Sequence, residues 1–225
     1  MKSIHVQNYS ALAIKQVFEP DVPLTRSLIH SFIHSLTHSL THSLTHSLIH
    51  SFTHSMALIV PCRDFTPKFG ENCFLAENAT IIGDVTMGDE CSVWFQAVVR
   101  GDVNFIRVGN KVNIQDGAIL HGTYQKCGTT IGNNVSIGHR ALVHGCTLHD
   151  NVLVGMGAII MDQVVVEENC LIAAGAVVLE NTVCHAGGVY AGVPARRVKE
   201  LTPELFKGQI ERIANNYLFY SSWFK

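Results

Sequence analysis

An aliphatic residue returns at every sixth position through most of this chain, and that period constrains the fold more than any other feature of the sequence. Ile81, Met87, Val93 and Val99 form one run, Val108, Ile114 and Leu120 a second, and Ile131, Ile137 and Val143 a third. Leu148, Val154, Ile160, Val166, Ile172 and Val178 form the fourth. Two positions before most of them stands a small apolar residue, among them Ala79, Val85, Cys91, Ala97, Ala118, Ala141, Ala158 and Ala176. Residues two apart on an extended chain share a face, so both members of each pair are expected to point inward. A period of six fits neither the roughly 3.6 residues of a helical turn nor a long alternating strand. Gly83, Asp84, Gly88, Gly109, Asn110, Gly132 and Asn133 fall between the pairs, where the chain has to turn. Short strands joined by tight corners satisfy both observations. Self-similarity at a fixed period then marks a solenoid whose repeats bury their apolar sides by stacking.

The pattern resembles the hexapeptide-repeat proteins. That resemblance implies an all-β fold, a left-handed parallel β-helix with three hexads in each triangular coil, where each core residue stacks on its equivalent at about 4.8 Å. Three segments are expected: a leader over residues 1–55, the β-helix domain over 56–198, and a C-terminal α-helix over 199–225 packed alongside. The helix has its own start signal in Thr202 as N-cap, with Pro203 at the first helical position and Glu204 after it. Leu205, Ile210, Ile213, Tyr217 and Leu218 make a rough apolar stripe along it. From Ser27 to Ser55 the leader is nearly a tetrapeptide repeat, with histidines at 30, 34, 38, 42, 46, 50 and 54. On a helix that spacing lines one face and offers a chelating stripe. The plainer reading is a disordered, repeat-expanded or mis-assigned leader, with Met56 opening the folded pattern.

The 225 residues carry a formal net charge of −2, so no basic footprint points to nucleic acid and no polybasic run to an anionic membrane. No apolar run approaches the roughly 20 residues of a spanning helix. Of seven cysteines, Cys91, Cys146 and Cys170 occupy small core slots, and the odd total gives no disulfide framework. A reducing compartment, the cytoplasm, is expected.

Three histidines sit inside the repeat. With one hexad per face, and residues 124–129 treated as a loop that lengthens one step, Leu120, Ile131, Ile137 and Val143 are successive corners. Leu120 to Val143 is then one full turn, and His121 and His144 stack on one face in adjacent coils. Arg100 joins their column once the three-residue insertion between Val99 and Val108 is counted. His139 follows Ile137 by two residues and lies on the neighbouring face, where Asp116 fills the same slot one coil earlier beside Gln115. One chain does not easily bring all three imidazoles together. Two chains do, if the face carrying His121 and His144 meets a neighbour's face carrying His139, Gln115 and Asp116. Repeated around a triangular prism, that heterologous contact closes a three-fold ring.

The segments Val99-Arg100-Gly101-Asp102, Asn113-Ile114-Gln115-Asp116, Leu120-His121-Gly122, Gly138-His139 and Val143-His144-Gly145-Cys146 resemble the gamma-class carbonic anhydrases. The resemblance runs from about residue 58 to the C-terminus and includes Ala214-Asn215-Asn216-Tyr217. It implies a homotrimer in which His121 and His144 of one subunit and His139 of the next hold one metal at each interface, catalysing the reversible hydration of CO₂ to bicarbonate. Zn²⁺ is the expected metal, with Fe²⁺ or Co²⁺ also suited to imidazole. An open three-histidine zinc site lowers the pKa of water from 15.7 to about 7, an established property of carbonic anhydrases, and so yields hydroxide at neutral pH. By the same resemblance Gln115 orients the water or hydroxide, Arg100 and Asp102 pair across the interface, Asn113 and Asp116 support the ligands, and Tyr217 approaches the metal from the last helix.

One departure bears on rate. The family's prototype carries proton-shuttling acids just after the Arg-Gly-Asp motif and in a nearby loop, whereas Val103 follows Asp102 here and residues 124–129 include no carboxylate. Proton export then becomes the step that limits turnover. Two other classes stay open: a hexapeptide acyltransferase or thioesterase, and a catalytically weak, metal-binding trimeric scaffold. An acyltransferase needs an acyl-CoA groove and no metal, which the three histidines argue against.

Overall fold

The computed structural model describes residues 31–39 and 57–224, which fall in two separate units. Residues 31–39 form a helix, with the rings of His34 and His38 stacked at 6.4 Å. That is what a four-residue spacing gives on a helix, since positions four apart are neighbours on its surface. The other leader histidines lie outside the described residues.

Residues 57–200 wind into a left-handed parallel β-helix of about seven coils. The first face pairs Leu58–Val60, Thr80–Met87, Val98–Val108, Ile119–His121, Leu142–His144, Ile159–Ile160 and Val177–Val178 in parallel. Thr80–Met87 and Val98–Val108 are long because they continue round a corner onto the second face. There they are followed by Thr129–Ile131, Thr147–Leu148, Val165–Val166 and Val183–Cys184. The third face runs from Phe74–Leu75 through Ser92–Val93, Asn113–Ile114, Ser136–Ile137, Leu153–Val154 and Leu171–Ile172 to Gly188–Gly192. The antiparallel strand Ala195–Glu200 closes that sheet.

This register converts the six-residue period into columns. Ile81, Val99, Leu120, Val143, Ile160 and Val178 stack behind the first face, and Val93, Ile114, Ile137, Val154 and Ile172 behind the third. Every one of them is buried, as is every small partner two positions earlier. Burying each large aliphatic side chain contributes about 1.5–3 kcal/mol, and a one-residue slip would turn a whole strand's set outward. The period therefore fixes the register that the site depends on.

The corners divide their work differently from the sequence expectation. The left-handed residues include Lys111, Asn134, Asn151 and Asn169, with φ between 55° and 57°, not Gly88, Gly109 or Gly132. Those glycines sit where one coil's backbone touches the next: a Cβ on Gly109 would come within 2.7 Å of the Gly132 carbonyl oxygen. Beside them, Asp89, Asn110, Asn133 and Asp150 form a ladder. Each side-chain oxygen accepts a backbone N–H from the preceding coil, on Glu71, Asp89, Asn110 and Asn133, at 2.7–2.9 Å. The ladder satisfies amide groups that the turn removes from the sheets.

The C-terminal helix starts at Pro203, after its Thr202 signal and four residues past the expected boundary at 199, because strand Ala195–Glu200 still belongs to the sheet of the third face. Thr202 Oγ1 accepts the Leu205 N–H at 3.3 Å and Pro203 opens the helix. A π-turn over Phe206–Glu211 precedes the α-helix Arg212–Ser221, and Ile210, Ala214 and Ser221 are buried. The segment lies against the third face: Tyr217 meets the Trp94 ring edge-on at 5.1 Å, and Phe224 lies 5.2 Å from Phe74. Among the described residues no helix is long and apolar enough to cross a membrane.

Candidate metal centre

His121 and His144 are register partners on adjacent strands, as the corner count requires. His121 Nδ1 lies 3.2 Å from His144 Nε2. The other nitrogen of each ring is held by a carboxylate: His121 Nε2 is 3.0 Å from Asp102 Oδ1, and His144 Nδ1 is 2.6 Å from Asp162 Oδ1. In a neutral imidazole the nitrogen that faces a carboxylate carries the proton, and that partner assigns the tautomer. With both rings neutral and protonated toward their carboxylates, the two inner nitrogens face each other as acceptors, an arrangement that a bound cation would satisfy. A tetrahedral ion with Zn–N bonds of about 2.0–2.1 Å spaces two ligand nitrogens about 3.3–3.4 Å apart, close to the 3.2 Å observed. Burial lowers the pKa of His121, with the Arg100 charge adding to it against the pull of Asp102, which favours the neutral ring that a metal needs.

Arg100 and Asp102 meet within the chain, at 2.7 Å between Nη1 and Oδ2. The two residues stand two apart on one extended strand and so project to the same side, and the pair across an interface that the resemblance implies involves a second subunit. Asp102 thereby places one oxygen on Arg100 and the other on His121. Burial raises its pKa, yet the hydrogen bonds from Arg100 and His121 outweigh this and hold the carboxyl below its usual range.

His139 stands apart from that pair. Its Nδ1 lies 2.9 Å from Asp116 Oδ2, its backbone N–H donates to Gln115 Oε1 at 3.2 Å, and its Nε2 faces the Tyr217 hydroxyl at 3.3 Å. Gln115 Nε2 donates to Asn113 Oδ1 at 2.9 Å, and Asn113 Nδ2 donates to Ser136 Oγ at 2.7 Å. Gln115, Asn113, Asp116 and Tyr217 therefore gather round His139, while Arg100 and Asp102 gather round His121. Burial, with the charge of Asp116 nearby, pushes the Tyr217 hydroxyl up to about 12, so it stays protonated and donates to Nε2. Among the described residues no three His, Cys, Asp or Glu side chains of the chain converge to hold a metal. Within the chain the donor set reaches two imidazoles, and a three-histidine metal site would need a third from elsewhere.

Asp162 is the residue that sequence reasoning missed. Its side chain is 8% exposed and accepts from Thr123 Oγ1 at 2.7 Å and Lys126 Nζ at 3.1 Å as well as from His144. Burial raises its pKa, but hydrogen bonds from Thr123, His144 and Lys126 prevail and keep it well below the usual carboxylate range. Counting from core residue to core residue hides it. Leu148 follows Val143 by five positions and not six, so Val143 pairs with Ile160 and the column places Met161 under His144. A plain count of three hexads from His144 arrives at Asp162.

Residues 145–180 match the family model described as bacterial transferase hexapeptide (six repeats). The chain is 42% identical over 160 residues to gamma carbonic anhydrase 2, mitochondrial, of Arabidopsis thaliana, covering 69% of this chain and 57% of that one. It thus spans little more than half of that relative's length. It is 41% identical over 168 residues to a carbonic anhydrase of Geobacillus kaustophilus, covering 75% of this chain and 91% of that one. Among solved structures, a hexapeptide transferase family protein from Anaplasma phagocytophilum superposes with a TM-score of 0.71 at 38% identity, over 75% of this chain and 98% of that one.

Proposed function

The chain belongs to the gamma carbonic anhydrase family of hexapeptide-repeat proteins, and from that membership we propose that it catalyses the reversible hydration of CO₂ to bicarbonate at metal sites between the subunits of a homotrimer. The observation that carries this reading is the His121–His144 pair, with ring nitrogens 3.2 Å apart and the third imidazole on another face. When bound, the metal, Zn²⁺ in our reading, supplies the Lewis acidity that brings the pKa of a water near neutrality.

The chain's own residues do the rest. His121 and His144 supply two ligands, and His139 of the neighbouring subunit the third. Asp102 and Asp116 grip the rings of His121 and His139 by their outer nitrogens, which fixes orientation and strengthens the inner nitrogens as donors. Gln115 uses one amide N–H on Asn113 and its oxygen on the His139 backbone, leaving one N–H to orient the reacting water. Tyr217 has to yield the His139 lone pair that it occupies. Proton export is the weak step, since Val103 has no ionisable group and Lys126, the single charged side chain of the 124–129 loop, is tied to Asp162 and Glu180.

A cavity of about 530 Å³ opens beside Gln115, His139 and Tyr217 and is otherwise lined by such groups as Leu153, Met156 and Leu171. It offers an uncharged, apolar substrate such as CO₂ a low-polarity approach. Its size also admits an acyl chain, and this is the observation behind a second reading, a thioesterase or acyltransferase. All seven cysteines are free thiols, which suits a reducing compartment, the cytoplasm in our reading, though the Arabidopsis relative is named as mitochondrial.

The test is metal content of the purified protein together with stopped-flow CO₂ hydration. The wild type is expected to hold one metal per subunit and hydrate CO₂, His121→Ala to lose both, and Gln115→Ala to keep the metal and turn over more slowly. Metal without hydration would favour the scaffold, and hydrolysis of acyl-CoA without hydration the thioesterase.

A further inference from the structure

We infer that Asp162, supported by Thr123 and Lys126, is a positioning residue of the metal centre, holding the His144 ring so that Nε2 and not Nδ1 faces His121. This rests on the metal reading and extends it to a residue outside the set that the sequence motifs supply. The carboxylate is buried and its hydrogen bond to Nδ1, at 2.6 Å, is the shortest made by any of the three imidazoles. Its second oxygen is fully engaged by the Thr123 hydroxyl at 2.7 Å and the Lys126 ammonium at 3.1 Å, so it has no freedom to swing away from the ring. Lys126 also offsets its charge and reaches Glu180 at 3.5 Å, linking the assembly to the next coil.

Two local features make this contact possible. The segment that carries Thr123 and Lys126 is pinched shut by the Thr123 N–H donating to the Cys127 carbonyl at 2.9 Å. Gly145, next to His144, has φ of +54°, and a Cβ there would press on Cys127 Sγ and Asp162 Oδ1. Only a residue without a side chain leaves the carboxylate room to approach the ring. A carboxylate on the outer nitrogen of a ligand histidine sets tautomer and orientation, and its loss typically costs about 10–100-fold in metal affinity. The competing explanation is a plain tie between coils, which would leave the ring's tautomer and the metal affinity untouched.

The experiment uses the full chain and Zn²⁺ as probe. The Zn²⁺ dissociation constant, from competition with a chromophoric chelator, is expected to rise about 10–100-fold in Asp162→Ala while the trimer is retained. In a His144→Ala background the same substitution is expected to add nothing, because its effect runs through that ring. Nitrogen-15 NMR of the metal-free protein should show His144 as the Nδ1–H tautomer in the wild type and lose that bias in Asp162→Ala. Should Asp162→Ala fail to fold, Thr123→Val, which removes one bond to the carboxylate, is expected to shift affinity and tautomer the same way by less. An unchanged dissociation constant, an equal loss in the His144→Ala background, or an Nε2–H tautomer in the wild type overturns the role of Asp162. A wild type that binds no Zn²⁺ overturns the metal reading instead, and the tautomer measurement then decides this one.

Discussion

Two variants that each lack the metal are expected to rebuild about one quarter of the sites when their subunits are mixed. His121→Ala breaks the pair on the first face, and His139→Ala removes the imidazole that lies elsewhere; the chain itself keeps these two elements apart. If each interface takes the pair from one subunit and His139 from the next, it is complete only where a His139→Ala chain supplies the pair and a His121→Ala chain supplies the third ligand. In an equal mixture with random exchange each condition is met about half the time, so about a quarter of interfaces are intact, one in every mixed trimer. Exchange is followed by native mass spectrometry on chains of different isotopic mass, and zinc content and CO₂ hydration are read on the same sample. Recovery near a quarter of the wild-type values supports the partition. No recovery after complete exchange refutes it, since ligands drawn from a single chain cannot be complemented. Zinc returning without hydration refutes the catalytic assignment and leaves the assembly standing.

The packing carries predictions of its own. Ile137→Ala opens a hole in the column between Ile114 and Val154, where the side chain is fully buried, and is expected to cost about 2–5 kcal/mol in urea denaturation; a loss under about 1 kcal/mol would contradict the stack. Gly145→Ala places a Cβ against Asp162 and Cys127 at a left-handed backbone position and is expected to weaken Zn²⁺ binding in chelator competition, whereas unchanged affinity would show that the corner tolerates the crowding. A chain beginning at Met56 is expected to keep trimer, metal and hydration by light scattering and the assays above. Loss of the trimer with expression intact would make residues 1–55 structural.

What the sequence made legible follows from the kind of fold. In a solenoid a period in sequence is also a period in space, so the inward residues, their columns and the stacking of His121 on His144 follow from counting. The same count placed Asp116 one coil below His139, and the two are 2.9 Å apart. Counting fails where the step length changes: the five-residue step from Val143 to Leu148 displaces the column by one position and concealed Asp162. It is also blind to contacts that depend on side-chain reach. Arg100 folds back onto Asp102 on its own strand, and Lys126 reaches Asp162 across 36 residues of chain. The left-handed corner at Lys111 carries no glycine signal, because position in the stack and not residue preference sets its backbone there. The π-turn over Phe206–Glu211 has no periodic mark in the sequence either.

Each coil of the β-helix is hydrogen-bonded to the one before and the one after, and the residues gathered at the His121–His144 pair come one coil at a time: Arg100 and Asp102, then His121, then His144, then Asp162. Such a scaffold can gain or lose turns by duplication or deletion of about 18 residues. Beyond Ile172 a change of one turn would leave the stacking columns and the histidines in register, though it would displace Glu180 from Lys126 and Tyr217 from His139. Among these four coils a single lost turn would separate a ligand from its carboxylate. The order of these four consecutive turns is accordingly the unit that the chemistry requires, and the turns outside it answer to packing alone only where they touch none of its residues.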